Sequence, residues 1–91
     1  MNKGDLIDTV ADTSGISKPQ ATDAVNCVFD CVESTLKNGD KASFIGFGTF
    51  STSRRKARDG RNPATGATIH IPAKTQVKFK PGKSLADSVN G

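Results

Sequence analysis

"RRKARDGRNPATG" runs from Arg54 to Gly66, and how it is read decides the fold. Five of its first eight residues are cationic, one is acidic, and none is large and apolar. It then reaches Asn62-Pro63-Ala64-Thr65-Gly66, a cluster of turn-forming residues. The segment that returns alternates Ala67, Ile69 and Ile71 against Thr68 and His70, as a half-exposed strand does. The stretch from 54 to 72 therefore predicts an extended two-stranded arm with a proline at its tip. Pro72 limits further pairing at the arm's base, because it has no N–H to donate.

Such an arm buries little, and an isolated two-stranded ribbon is barely stable in water. The rest of the chain must supply the core. On the N-terminal side, Leu6, Ile7, Val10 and Ala11 mark one apolar helix face, with Asn2 and Asp5 spaced as a cap and Gly15 as the stop. A longer helix follows. Ser17 and Gln20 have capping-box spacing, Pro19 falls in the first turn, and Ala21, Val25, Val28, Phe29, Val32 and Leu36 form a stripe that ends at Asn38-Gly39. "KASFI", "GTFSTSR" and "TQVKFK" are strand-like, the last with Val77 and Phe79 alternating against Lys78 and Lys80. "PGKSLADSVNG" closes the chain as a short helix, with Leu85 and Val89 expected to be its buried contacts. The expected fold is α+β: a two-helix base over residues 1–38, then over 39–91 a three-stranded antiparallel sheet with the β-ribbon arm and a short C-terminal helix. Ninety-one residues argue for a single domain. Without the arm, roughly 70 residues remain for a core, which is marginal for a monomer and makes dimerisation a physical expectation.

The net charge of +4 is unevenly placed. Residues 1–52 carry four Lys against seven acids, net −3, while residues 53–83 carry nine cations and one acid, net +8. A basic back half of that density points to a polyanion partner. The cations expected to meet it are Arg54, Arg55, Lys56, Arg58, Arg61 and Lys74. A major or minor groove of nucleic acid accepts a two-stranded ribbon, and arginine suits a narrow minor groove of enhanced negative potential. Two readings of Pro63 stand side by side: a residue that stiffens a turn, and an apolar wedge that unstacks a base step and kinks a duplex.

Other classes fit less well. Helix, glycine turn, helix suggests a helix-turn-helix reader, but Asp23, Asp30 and Glu33 on the second helix would repel phosphate. "GFG" at 46–48 lacks the GxxxxGK[ST] of a phosphate loop and reads as a bend between strands. His70 is the only histidine, and no acid pair or nucleophile constellation suggests an enzyme. No cofactor and no metal site are expected. Cys27 and Cys31 sit four apart in a helix, too far apart and poorly oriented for a disulfide, and read as small packing residues. No apolar run reaches membrane-spanning length, and Asp5, Asp8 and Asp12 occupy the place of a signal peptide's apolar region. A soluble intracellular protein is expected. RNA is the less favoured polyanion, since its A-form minor groove is wide and shallow.

Four blocks in order carry a resemblance over essentially the whole chain: "MNK" with "LID" at the start, "GDKASFIGFGTFS" from Gly39, "RKARDGRNPATG" from Arg55, and "FKPGKSLADSVN" from Phe79. The chain resembles the bacterial histone-like HU proteins, in the family that includes integration host factor. The resemblance implies an intertwined homodimer whose two arms wrap duplex DNA through the minor groove, in the cytoplasmic bacterial nucleoid. It implies binding with little sequence specificity, DNA bending and compaction, and a preference for distorted DNA. It makes Pro63 the intercalating residue with Asn62 beside it, and gives Lys3, Lys83 and Lys80 contacts from the body to phosphate. Phe29, Phe47, Phe50 and Phe79 become the dimer core. Asn26 stands where some family members place an acid that pairs with Lys3, and Ala86 where Lys is frequent. A sequence-specific subunit like those of integration host factor is the alternative.

Overall fold

The computed structural model describes all 91 residues. The chain runs α1 (Lys3–Ser14), α2 (Lys18–Lys37), β1 (Ala42–Phe44), β2 (Gly48–Arg55), β3 (Arg58–Arg61), β4 (Thr68–Ile71), β5 (Lys74–Pro81) and α3 (Lys83–Asn90). The fold is α+β, with β1-β2-β5 forming an antiparallel sheet and β3-β4 a separate ribbon.

Local chemistry sets the helix ends. Asn2 Oδ1 accepts from the Asp5 N–H at 2.9 Å while Asp5 Oδ2 accepts from the Asn2 N–H at 3.1 Å, so two otherwise orphaned donors are satisfied. Ser17 and Gln20 repeat the arrangement at the start of α2. Gly15 ends α1 in the left-handed region at φ 66°, which a side chain would disfavour.

The sheet has two unlike faces, because residues directly opposite on a ladder share a face. Phe50 opposes Phe79, Thr52 opposes Val77, and Ala42 opposes Phe50. This side carries the aromatic cluster: Phe50 and Phe79 centroids lie 4.7 Å apart, Phe47 and Phe79 5.6 Å, and Phe44 and Phe50 6.4 Å. It faces α2. On the other side Thr49, Ser51, Ser53 and Arg55 oppose Lys80, Lys78, Gln76 and Lys74.

The turn at 45–47 brings Gly48 against β5. A Cβ there would sit 2.5 Å from the Phe79 ring and 2.7 Å from the Lys80 carbonyl oxygen. Only glycine lets the strands close at that point.

One chain encloses almost nothing. Ala11, Ala21, Val25, Ala42 and Gly48 are its only buried residues. Its radius of gyration is 19.0 Å, against about 12 Å for a compact domain of this length. Phe29, Phe44, Phe47 and Phe79 are each more than 40 % exposed. Val89 is 79 % exposed rather than buried. Helix α3 docks through its first turn, where Gly82 donates to the Phe47 carbonyl at 2.8 Å and Leu85 is half-buried, and its far end projects. Cys27 and Cys31 are also exposed, not packed, since the stripe of α2 that meets the rest of the chain runs through Ala21, Val25 and Val32. No helix is long and apolar enough to cross a membrane.

Candidate nucleic-acid interface

The arm has two segments. Ladder pairing stops after Arg55 and Lys74 and resumes at Arg58 and Ile71, leaving Lys56-Ala57 and Pro72-Ala73 unpaired. The missing proline N–H accounts for part of that interruption. Beyond it Arg58 opposes Ile71, Asp59 opposes His70, Gly60 opposes Ile69 and Arg61 opposes Thr68. Gly60 leaves room for the isoleucines across the ribbon, since a Cβ there would come 2.9 Å from Ile71 Cδ1.

The tip is a built structure. Gly66 N–H donates to the Asn62 carbonyl at 2.7 Å, and Asn62 N–H to the Ala67 carbonyl at 2.8 Å. Asn62 Oδ1 accepts from the Ala64 N–H at 2.9 Å, an Asx turn bridging over Pro63. Gly66, at φ 72°, supplies the left-handed residue that reverses the chain. Pro63 is exposed at the apex. Its ring is apolar and its nitrogen carries no hydrogen, so it has nothing to leave unpaired on entering an apolar slot.

The cations fall into groups. Arg55, Lys56, Arg58 and Lys74 line one concave surface at the root of the arm together with Ile71 and Ala73. Arg58 and Arg61 lie on opposite faces of the ribbon, because strand side chains alternate. The arginines thus ring the arm rather than line one side. Arg54 lies on the aromatic side of the sheet and donates to Thr75 Oγ1 at 3.2 Å. Lys80 shares the polar face of the sheet with Lys74, and Lys83 begins α3, its Nζ 3.9 Å from Asp87. Lys3 stands apart on α1, its ammonium 5.8 Å from the centre of the Phe29 ring. Asn26 Oδ1 is buried and has no hydrogen-bond partner, so Lys3 is not tied there by a side-chain bond. Asp59 is the single acid of the arm, 3.5 Å from His70 Nδ1.

Lys78 is not among the cations expected from the sequence. It shares the polar face of β5 with Lys74 and Lys80 and is exposed. The alternation of lysines against Val77 and Phe79 already held that signal.

A ribbon ringed with arginine and tipped by proline, set on a small body with one cationic sheet face, has the build of a nucleic-acid-binding protein. Residues 1–90 match the family model described as bacterial DNA-binding protein, and the chain belongs to that family. It is 54% identical over 89 residues to the DNA-binding protein HU of Geobacillus stearothermophilus, spanning 98% of this chain and 99% of that one. It is 55% identical over 91 residues to DNA-binding protein HU 1 of Bacillus subtilis strain 168, spanning 100% of this chain and 99% of that one. Among solved structures, it superposes on the HU chain of an Anabaena HU–DNA cocrystal with a TM-score of 0.86 at 38% identity, covering 98% of this chain and 97% of that one.

Proposed function

We propose that this chain acts as a homodimer that binds duplex DNA with little sequence preference and bends it, in the bacterial nucleoid, without enzymatic chemistry. The observation that carries the reading is Pro63, held at the exposed apex of an arginine-ringed ribbon by the Asn62 Asx turn. Likeness to an HU protein crystallised with DNA supports the choice of polyanion.

The mechanism divides among the residues. The exposed aromatic side, where Phe29, Phe44, Phe47, Phe50 and Val77 line one apolar cleft with Leu6, is closed by a second copy, which doubles the arms. Arg55, Lys56, Arg58, Arg61, Lys74, Lys78 and Lys80 neutralise phosphates and release condensed counterions, the main source of affinity. Lys3, Lys83 and Arg54 extend that contact over the flanks. The arms enter the minor groove, and Pro63 slides between two base pairs. Unstacking a step costs a few kcal/mol, which the extra wrapped phosphate contacts offset. DNA that is already nicked, gapped or bent has part of that cost removed, so shape rather than sequence sets preference.

Titration of the purified protein alone into an intact duplex, the same duplex with a nick, and an RNA duplex, at several salt concentrations, tests this. Binding to both DNAs, tighter to the nicked one and falling steeply with salt, is expected. Weak binding to every arbitrary DNA would instead require a specific site or a second kind of subunit, as in integration host factor. Equal binding to RNA would remove the groove argument.

A further inference from the structure

The exposed face of α2 carries a pair of thiols that DNA binding does not use. Cys27 and Cys31 are one helical turn apart, both free and both exposed, with their sulfurs 4.0 Å from each other. A disulfide needs about 2.05 Å. Two thiolates sharing one tetrahedral zinc-like ion at about 2.3 Å stand about 3.8 Å apart. The two sulfurs of this protein stand close to that separation. Two side chains at i and i+4 on a helix are neighbours on one stripe, the same arrangement by which paired helical histidines hold zinc.

The pair sits on a ridge between a mostly apolar cleft lined by Val28, Val32, Phe44 and Lys41 and a polar one lined by Asp23 and Asp30, so two carboxylates and one ammonium flank the sulfurs. The Thr35 hydroxyl is occupied, donating to the Cys31 carbonyl at 2.8 Å. No group of three or more His, Cys, Asp or Glu side chains is assembled anywhere in the chain. The protein therefore offers two sulfurs and leaves any remaining coordination positions to water. Soft thiolate ligands select thiophilic ions such as Zn²⁺ and Cu⁺ over Mg²⁺ or Ca²⁺.

We infer that Cys27 and Cys31 form a two-thiolate site for a thiophilic d¹⁰ metal ion, one per chain, on the surface of α2. Binding replaces the two S–H protons with two metal–sulfur bonds and releases both protons to solvent, so it strengthens as pH rises.

The test uses Cd²⁺, whose thiolate charge-transfer band lies in the ultraviolet. The chain has no Trp or Tyr to obscure it. The intact protein is titrated under a phosphine reductant, with absorbance and proton release followed together. One Cd²⁺ per chain, two protons released, and at least tenfold weaker binding in both Cys27→Ser and Cys31→Ser are expected, with DNA affinity unchanged. The double variant Cys31→Ser/Ser34→Cys keeps two thiols but separates them by two turns, about 10 Å along the axis, and should bind as weakly as the single variants. Absence of the band, one ion per two chains, or full binding by the double variant would each overturn the assignment.

Discussion

Phe50 and Phe79 face each other directly across the β2–β5 ladder, their rings 4.7 Å apart and tilted by 46°. Phe50 is half-buried while Phe79 remains 41 % exposed. An aromatic pair left this open in one chain is half of a core. In the proposed homodimer its other half is the same surface on a second copy. The melting temperature should therefore rise with protein concentration, as it does when folding and association are one step. Phe79→Ala should cost about 3 kcal/mol or more and shift the dimer–monomer equilibrium in sedimentation. A melting temperature independent of concentration over a hundredfold range would refute the shared core.

Two glycines separate steric need from convenience. Gly48→Ala drives a methyl into the Phe79 ring and the Lys80 carbonyl, a backbone atom that cannot step aside. Overpacking of this kind costs about 1–3 kcal/mol. Gly60→Ala meets only the terminal methyl of Ile71, which can turn away. Thermal melts should show a clear loss for the first and less than about 1 kcal/mol for the second. The reverse order would mean that the strand closure at Gly48 is wrongly described.

At the arm tip, bending and binding should part company. Pro63→Ala removes the wedge and leaves every cation in place. Asn62→Ala removes the side-chain acceptor that holds Ala64 and so loosens the presentation of Pro63. Energy transfer between dyes at the two duplex ends should report less bending in both, Pro63→Ala the more affected, while affinity falls only modestly. Full bending by Pro63→Ala would end the wedge role.

Charge should be read from salt dependence. Each phosphate neutralised contributes about 0.9 to the slope of log K against log salt. Arg58→Ala and Arg61→Ala should each lower the slope by about that amount per chain. Lys78→Ala should do the same, because it stands beside Lys80 on the polar face. Lys37→Ala, on the far end of α2 and 3.6 Å from Glu33, should not. A slope unchanged by the Lys78 substitution would take that face out of the interface.

The thiols offer a pH readout. Hydrogen bonding to Cys27, and then charge at Cys27 and Asp30, hold the Cys31 thiol above its ordinary value. At mildly alkaline pH less of it is thiolate, so Cys31 should alkylate more slowly than an unperturbed cysteine. Cys27→Ala removes the leading cause and should speed the reaction and move its midpoint to lower pH. No change in rate would mean that the two sulfurs do not interact in solution.

Much of this was legible in the residues. Both capping boxes follow from Asn2/Asp5 and Ser17/Gln20, since a cap is a contact within four residues. The arm follows from a run too polar to bury itself. What escaped needed knowledge of pairing. Arg54 and Arg55 are adjacent in sequence, yet the β2–β5 register puts them on opposite faces, one beside Thr75 and the other beside Lys74. Lys78 needed no pairing, since the alternation of lysines against Val77 and Phe79 already puts it on one face with Lys80. Val89 and the two cysteines were assigned to a core because helical periodicity marks an apolar or small stripe without saying whether one chain has anything to set against it.

Five buried residues in 91 make the fold a collective property. Folding together with a second copy makes the amount of folded material scale with the square of the unfolded chain's concentration. A cell that halves its supply loses more than half of the assembled protein, and proteases remove the unassembled remainder. The thinness of the single-chain core thus acts as a threshold on abundance: below it little folded dimer exists, and above it the folded fraction climbs steeply.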